Sequence, residues 1–187
     1  MTALEQYIQT YFGVDNDDLQ KISSFFKPLQ LTKGDHFLKT GKLSNRLGFL
    51  QSGLVREYVL FNDKEVTKWI STSGYFVVDL ASFVFRQPAR WNIQALTDCE
   101  LFIIDNSDYQ KLRAHVDQWD ELEKLFIAKC FIVLENRVLQ HLAMSAEERY
   151  RQLFNFNQDL FNQVPLQYLA SMLGITPETL SRLRKKA

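Results

Sequence analysis

The segment Pro165-Leu166-Gln167-Tyr168-Leu169-Ala170-Ser171-Met172-Leu173-Gly174-Ile175-Thr176-Pro177-Glu178-Thr179-Leu180-Ser181-Arg182-Leu183-Arg184-Lys185-Lys186 constrains the fold most, because its spacing reads as helix, tight turn, helix. Leu166, Leu169, Ala170 and Leu173 recur at intervals of three and four and so line one face of a first helix. Gly174 ends that helix, since glycine takes the left-handed backbone at a helix C-terminus without steric cost; Thr176 followed by Pro177 caps and begins the next. Leu180 and Leu183 turn back toward the first helix, and the small Ala170 lets the two backbones approach closely. Glu178, Ser181 and Arg182 stay outward, with Arg184, Lys185 and Lys186 behind them; Glu178 and Arg182 are four apart and share a face. Two readings are open. One is an amphipathic hairpin packed on a core, its basic run a solvated tail that neutralises a helix C-terminus. The other is a DNA-reading helix-turn-helix, whose offsets the alanine, glycine and inward leucines match and whose outward face carries base-reading side-chain types.

The rest of the chain sets bounds on both readings. Its 22 Lys and Arg balance 22 Asp and Glu, so no global field draws it to nucleic acid or membrane, and any attraction to DNA has to be local. An apolar share of 46% over 187 residues supports packed cores and excludes disorder. No apolar run reaches membrane-spanning length, and Met1-Thr2-Ala3-Leu4-Glu5-Gln6 is not a basic segment followed by an apolar one, so the expected location is cytoplasmic, without membrane contact. Cys99 and Cys130 are too few and too far apart for a disulfide framework or a zinc motif and are expected to be buried thiols.

Along the chain, Leu4, Tyr7, Ile8, Tyr11 and Phe12 mark one amphipathic helix, and Leu19, Ile22, Phe25 and Phe26 mark a second, capped near Asp15 or Asn16 and closed by Pro28. From about Leu29 to Asp105 short β-branched and apolar runs alternate with turn residues, as in a small β-sandwich or barrel. Phe61-Asn62-Asp63-Lys64 reads as the turn of a hairpin within it. Asn106 or Ser107 is expected to cap a short helix. A longer helix is expected from about Gln118 to Ala143, where neither glycine nor proline occurs. Its apolar residues are too many for one stripe. Trp119, Leu122, Phe126, Cys130 and Val133 follow one face, while Leu125, Phe131, Ile132, Leu134, Val138, Leu139 and Leu142 cover others. Each apolar side needs covering, either by a parallel second copy, the preferred reading, or within one chain. Ser145 and Glu148 form a capping-box pattern for the next helix, which should end near Asn155 to Asn157. The expected fold class is α+β: N-terminal helices, a jelly-roll-like β-sandwich, a long dimerisation helix and a C-terminal helix-turn-helix. The expected domains are a sensor over 1–116, the long helix over 117–144 and a DNA-binding domain over 145–187.

This order resembles the Crp–Fnr family of transcription regulators, and the likeness covers nearly the whole chain. Lys33-Gly34-Asp35, Thr40-Gly41 and Leu50-Gln51-Ser52-Gly53-Leu54-Val55-Arg56 look like the turn glycines of that family's cyclic-nucleotide-binding sandwich. Glu147-Glu148-Arg149-Tyr150 and Leu173 through Arg182 are similar to its branch with short C-termini, which lacks a β-hairpin wing. In the family a Gly-Glu pair meets the phosphate and ribose of a cyclic nucleotide, and an arginine meets the phosphate. Here Val78 stands at the glycine and Asp79 at the glutamate, while Ala89 falls at the phosphate arginine, with Arg90 one residue late. A one-residue shift in a strand turns a side chain to the opposite face. The resemblance therefore implies that cyclic AMP is not bound in the usual manner and that no cofactor is needed. Either the pocket is packed shut by Val78, Leu80 and their neighbours, or an unknown small effector uses Asp79, Arg90 and Trp91.

The implied partners are a roughly palindromic operator DNA, a second copy of the chain, and RNA polymerase. Arg182 would make two hydrogen bonds to guanine and Glu178 would accept one from cytosine, whereas Thr179, Ser181, Arg184, Lys185 and Lys186 would meet phosphates, with Thr176 at the helix start. Pro177 stands where family members often carry another arginine, which removes one base contact. The competing function is a ligand-sensing or protein-interaction module without DNA binding. An enzyme is not expected, since there is no Gly-x-Ser-x-Gly elbow, phosphate-loop glycine pattern or metal-binding histidine motif; His36, His115 and His141 are dispersed.

Overall fold

The computed structural model describes residues 1–186, Lys186 by its backbone alone. Helix α1 (Ala3–Phe12) starts at a capping box between Thr2 and Glu5 and stops at Gly13, whose φ is +64°. Helix α2 (Asn16–Ser24) is capped by the Asp15 carboxylate, which accepts from Asp18 N–H at 2.8 Å. Each helix buries one face, through Leu4 and Ile8 in α1 and Leu19 and Ile22 in α2.

Eight strands follow: β1 (Lys27–Leu31), β2 (His36–Leu38), β3 (Arg46–Ser52), β4 (Val55–Phe61), β5 (Lys64–Ser71), β6 (Phe76–Val77), β7 (Asn92–Ala95) and β8 (Cys99–Asp105). They form two four-stranded sheets, ordered β1-β8-β3-β6 and β2-β7-β4-β5. The expected α+β class with an antiparallel sandwich is what the chain adopts. Pro28 lies inside β1, opposite Phe102, rather than before the first strand. The sheet tolerates it because β1 is an edge strand, where a missing N–H costs no ladder bond. Phe37, Leu50, Val55, Ile93, Cys99 and Leu101 lie in the core between the sheets. Asn62 and Asp63 both have positive φ, 49° and 57°, the geometry of a two-residue turn between β4 and β5.

One helix interrupts the strands: α3 (Leu80–Phe85), held by Asp79 at its N-terminus. Helix α4 (Asn106–Tyr109) follows Asp105, and neither Asn106 nor Ser107 caps it. The Asn106 amide donates instead to the Phe83 carbonyl at 3.1 Å, so its side chain serves the end of α3. Helix α5 (Leu112–His115) is one turn, and α6 (Trp119–Ala143) is the long helix. Then come α7 (Ala146–Phe156), α8 (Leu160–Gln163), α9 (Leu166–Leu173) and α10 (Pro177–Lys186).

The chain divides into two compact units. The first holds residues 1–57 and 70–126, which are the N-terminal helices, the sandwich and the opening turns of α6. The second holds residues 127 onward together with 58–69, the outer part of the β4–β5 hairpin. Tyr150, Phe154 and Phe161 form the aromatic centre of the second unit, with ring centroids 5.4 to 5.8 Å apart. No helix among the described residues is long and apolar enough to cross a membrane.

Candidate nucleic-acid interface and effector pocket

In the second unit the α9–α10 pair is built from a buried floor outward. Leu169, Ala170 and Leu180 have no exposed surface. Gly174 takes φ +66°, and its N–H and that of Ile175 turn back to the carbonyls of Ser171 and Ala170. A helix end leaves four carbonyls without intrahelical partners. In α9 the remaining two, Met172 and Leu173, accept from Arg137 at 2.7 Å and Arg149 at 3.0 Å. The end of α9 is thus fully satisfied and carries two cations, which suits the negative pole of the helix.

Thr176 caps α10, its hydroxyl accepting from Thr179 N–H at 3.2 Å, and Pro177 occupies the first helical position, where no N–H is needed. Glu178, Arg182, Arg184 and Lys185 are exposed, and Thr179 and Ser181 are half-buried. The Lys186 side chain lies outside the described residues. Glu178 is held below its ordinary range chiefly by a backbone N–H at its own position, then by the Thr176 hydroxyl, with a smaller contribution from the Arg182 charge. An ionised Glu178 is an acceptor only, the form that a base amino group requires.

The expected effector residues belong to the first unit. Val78, Asp79 and Ala89 are buried, Leu80 and Trp91 are half-buried, and Arg90 is exposed. Asp79 is the organiser of this group. One carboxylate oxygen accepts from Ser82 N–H at 3.0 Å and so caps α3; the other accepts from Arg90 N–H at 2.9 Å and Trp91 N–H at 3.4 Å. The backbone at Ala89 is fixed on its other side through mutual bonds with Gly41 and Lys42. The Asp79 carboxylate is therefore engaged by backbone donors, and the Arg90 side chain faces solvent while Ala89 faces the core. A cavity of about 50 Å³ in this unit is lined by Ile8, Phe26, Leu47, Phe76, Trp119 and Phe126 among others, and none of the six expected residues lines it.

Two features escaped the sequence reading. Arg56 is fully buried in β4 beside the buried Glu57, so the first unit buries a guanidinium that is not Arg90. Alternation from the core residue Val55 puts Arg56 on the opposite face of β4, so no local signal in the sequence marks it as buried. Nor does the sequence reveal the partners of Arg137 and Arg149, which lie 35 and 24 residues away. Among the described residues no group of His, Cys, Asp and Glu could hold a metal ion.

Residues 28–115 match the family model of the cyclic nucleotide-binding domain. The matched stretch takes in all eight strands of the sandwich from Pro28 onward. Among solved structures, the chain is similar to the c-di-GMP-responsive global regulator CLP of Xanthomonas campestris, with 17% identity, a TM-score of 0.68, and 92% of this chain and 91% of that one covered. It is similar to FixK2 of Bradyrhizobium japonicum, with 16% identity, a TM-score of 0.70, and 86% and 83% covered. The catabolite activator protein of Thermus thermophilus shares 20% identity at a TM-score of 0.59, with 94% and 84% covered. At these identities the likeness is one of fold, and it runs beyond residues 28–115 into the C-terminal helices. No curated protein matches the sequence.

Proposed function

We propose that this chain is a dimeric, sequence-specific DNA-binding transcription regulator of Crp–Fnr type. The observation that carries the reading is the outer surface of α10, where Glu178 and Arg182 stand exposed one turn apart, with Arg184 and Lys185 beyond them. A recognition helix needs side chains free to reach base edges, on a helix whose own position is fixed. Arg182 is a bidentate donor suited to guanine, Glu178 an acceptor suited to the cytosine amino group, and the remaining cations suit phosphates. Dimer formation rests on α6, whose second-unit portion exposes Phe131 at 60%, Leu139 at 60% and Leu142 at 81%. Such a stripe belongs against another surface, and a second copy would set two α10 helices to successive major grooves. RNA polymerase is a further partner of a regulator of this type, and the cytoplasm is where it would meet both. We assign no cofactor and no catalytic activity.

In this reading cyclic AMP is not held in the usual mode. The Asp79 carboxylate is engaged by three backbone N–H groups, and no arginine occupies the Ala89 position to neutralise a phosphate. Calorimetric titration with cyclic AMP should give no saturable heat; saturable binding would overturn this part. The balance of 22 positive and 22 negative side chains favours the competing reading, a sensing or protein-interaction module without DNA binding.

Duplex binding as a function of salt separates the two. The DNA reading requires affinity that falls steeply as salt rises. Arg182→Ala should cost about 1–3 kcal/mol on the preferred duplex and relax preference at one base pair. Lys185→Ala should weaken binding to all duplexes and reduce the salt slope by about 1. An Arg182→Ala protein with undiminished affinity and preference removes α10 from the base-reading role.

A further inference from the structure

The outer part of the β4–β5 hairpin groups with the C-terminal unit rather than with the sandwich in which its strands begin. Two hydrogen bonds and a ring contact link β5 to α9 and α6. Ser171, half-buried on α9, accepts from the Thr67 backbone N–H at 2.9 Å and donates to the Glu65 carbonyl at 3.3 Å. One hydroxyl thus satisfies a donor and an acceptor of β5, as a neighbouring strand would, and it sets the register of the hairpin on the helix. Two residues along β5, the Trp69 ring lies under the Arg137 guanidinium at 5.2 Å. The same guanidinium donates to the Met172 carbonyl, the residue after Ser171. One turn along α6, His141 lies against Gly174, where an added Cβ would come within 3.4 Å of the imidazole ring.

Arg137 therefore joins three elements: it stands on α6, covers a ring of β5 and closes an orphan carbonyl of α9. The carbonyl it closes sits immediately before the turn that launches α10. A helix leaving a turn of three residues, Gly174 to Thr176, has its axis set by how the preceding helix end is held. We infer that the tip of the β4–β5 hairpin is a working part of the DNA-reading unit, and that Arg137 and Ser171 are positioning residues that set the angle at which α10 is presented. This rests on the DNA-reading function for its purpose, while its structural content stands apart from that function.

Two variants test it in the full chain. Ser171→Ala removes both hairpin bonds while deleting one oxygen, and Arg137→Gln keeps a helix-forming residue but loses the ring contact and the reach to Met172. Hydrogen exchange read over 166–183 should speed up roughly fivefold to tenfold in each variant, with exchange over 28–57 unchanged. Wild-type exchange over 166–183 in Ser171→Ala would overturn the hairpin's part, and in Arg137→Gln it would overturn the joint. If Arg137→Gln loses protection in the sandwich as well, Ser171→Ala decides. The second readout uses a duplex recovered from a random pool by the wild-type protein. Each variant should lose roughly tenfold in preference for that duplex over one with a base pair inserted between the half-sites, while keeping base preference within each half-site. A loss of folded protein alone would lower affinity for both duplexes equally, so an unchanged spacing preference overturns the positioning role. If the wild-type protein recovers no duplex, the DNA-reading function falls and the exchange measurement still decides the joint.

Discussion

At Gly53 the chain turns between β3 and β4 with φ +94°, and a Cβ there would collide with the Asp98 carbonyl and lie 2.6 Å from the Cys99 sulfur. Both the dihedral and the close approach exclude a side chain. Gly53→Ala should lower stability by about 1–3 kcal/mol, read as a fall in the denaturant midpoint at unchanged slope; an unshifted midpoint would show that the turn relaxes freely. The Ser145–Glu148 capping box at the head of α7 is sensitive to acid. The Glu148 carboxyl is held below its ordinary 4.5, first by the Ser145 backbone N–H and then by the Ser145 hydroxyl. The folded chain gives up this proton more readily than the unfolded one, so the contribution is present above pH 4.5 and is lost as pH falls through the lower folded value. Glu148→Gln should reduce the steepness of acid destabilisation below that pH in circular-dichroism melts. An identical acid limb would remove the box from the ledger of acid-sensitive groups. The box was legible in the sequence because both partners are three residues apart. Asp79 was legible as a carboxylate of interest but not as one engaged by the N–H groups of Arg90 and Trp91, because that depends on a loop eleven residues away.

Among the elements, α9 and α10 follow the sequence closely, since glycine, threonine and proline at 174, 176 and 177 specify the turn by local chemistry alone. The short helices α3 and α8 were not foreseen: each is too short to show a period, and α3 forms where Asp79 supplies a cap inside a region of strand-like residues. Helix α6 divides by surroundings rather than by composition. Leu122 and Phe126 are buried in the first unit, whereas from Ile127 onward its large apolar residues are exposed. A charge at an exposed position should leave the fold intact and disrupt only what covers that surface. Leu139→Glu should convert a dimer to a monomer in sedimentation velocity with helical content kept. A variant that sediments as the wild type would place Leu139 outside any dimer contact.

For the molecule as a whole, the sandwich followed by helices was readable from the change of texture near residues 29 and 105. The membership of the hairpin tip in the C-terminal unit was not, because the contacts that Ser171, Trp69 and Arg137 make there span long sequence separations. In the proposed function the outer face of α10 is the working surface, and the two-fold pairing of chains is the source of its geometry. Selection of duplexes from a random pool by the full chain, with sequencing of what is retained, tests this most directly. The expected result is a roughly palindromic site with half-sites about 10 base pairs apart, centre to centre, and relaxed preference at one position per half-site in Arg182→Ala. Retention of the pool without enrichment, or an enriched site that Arg182→Ala reads identically, would contradict it.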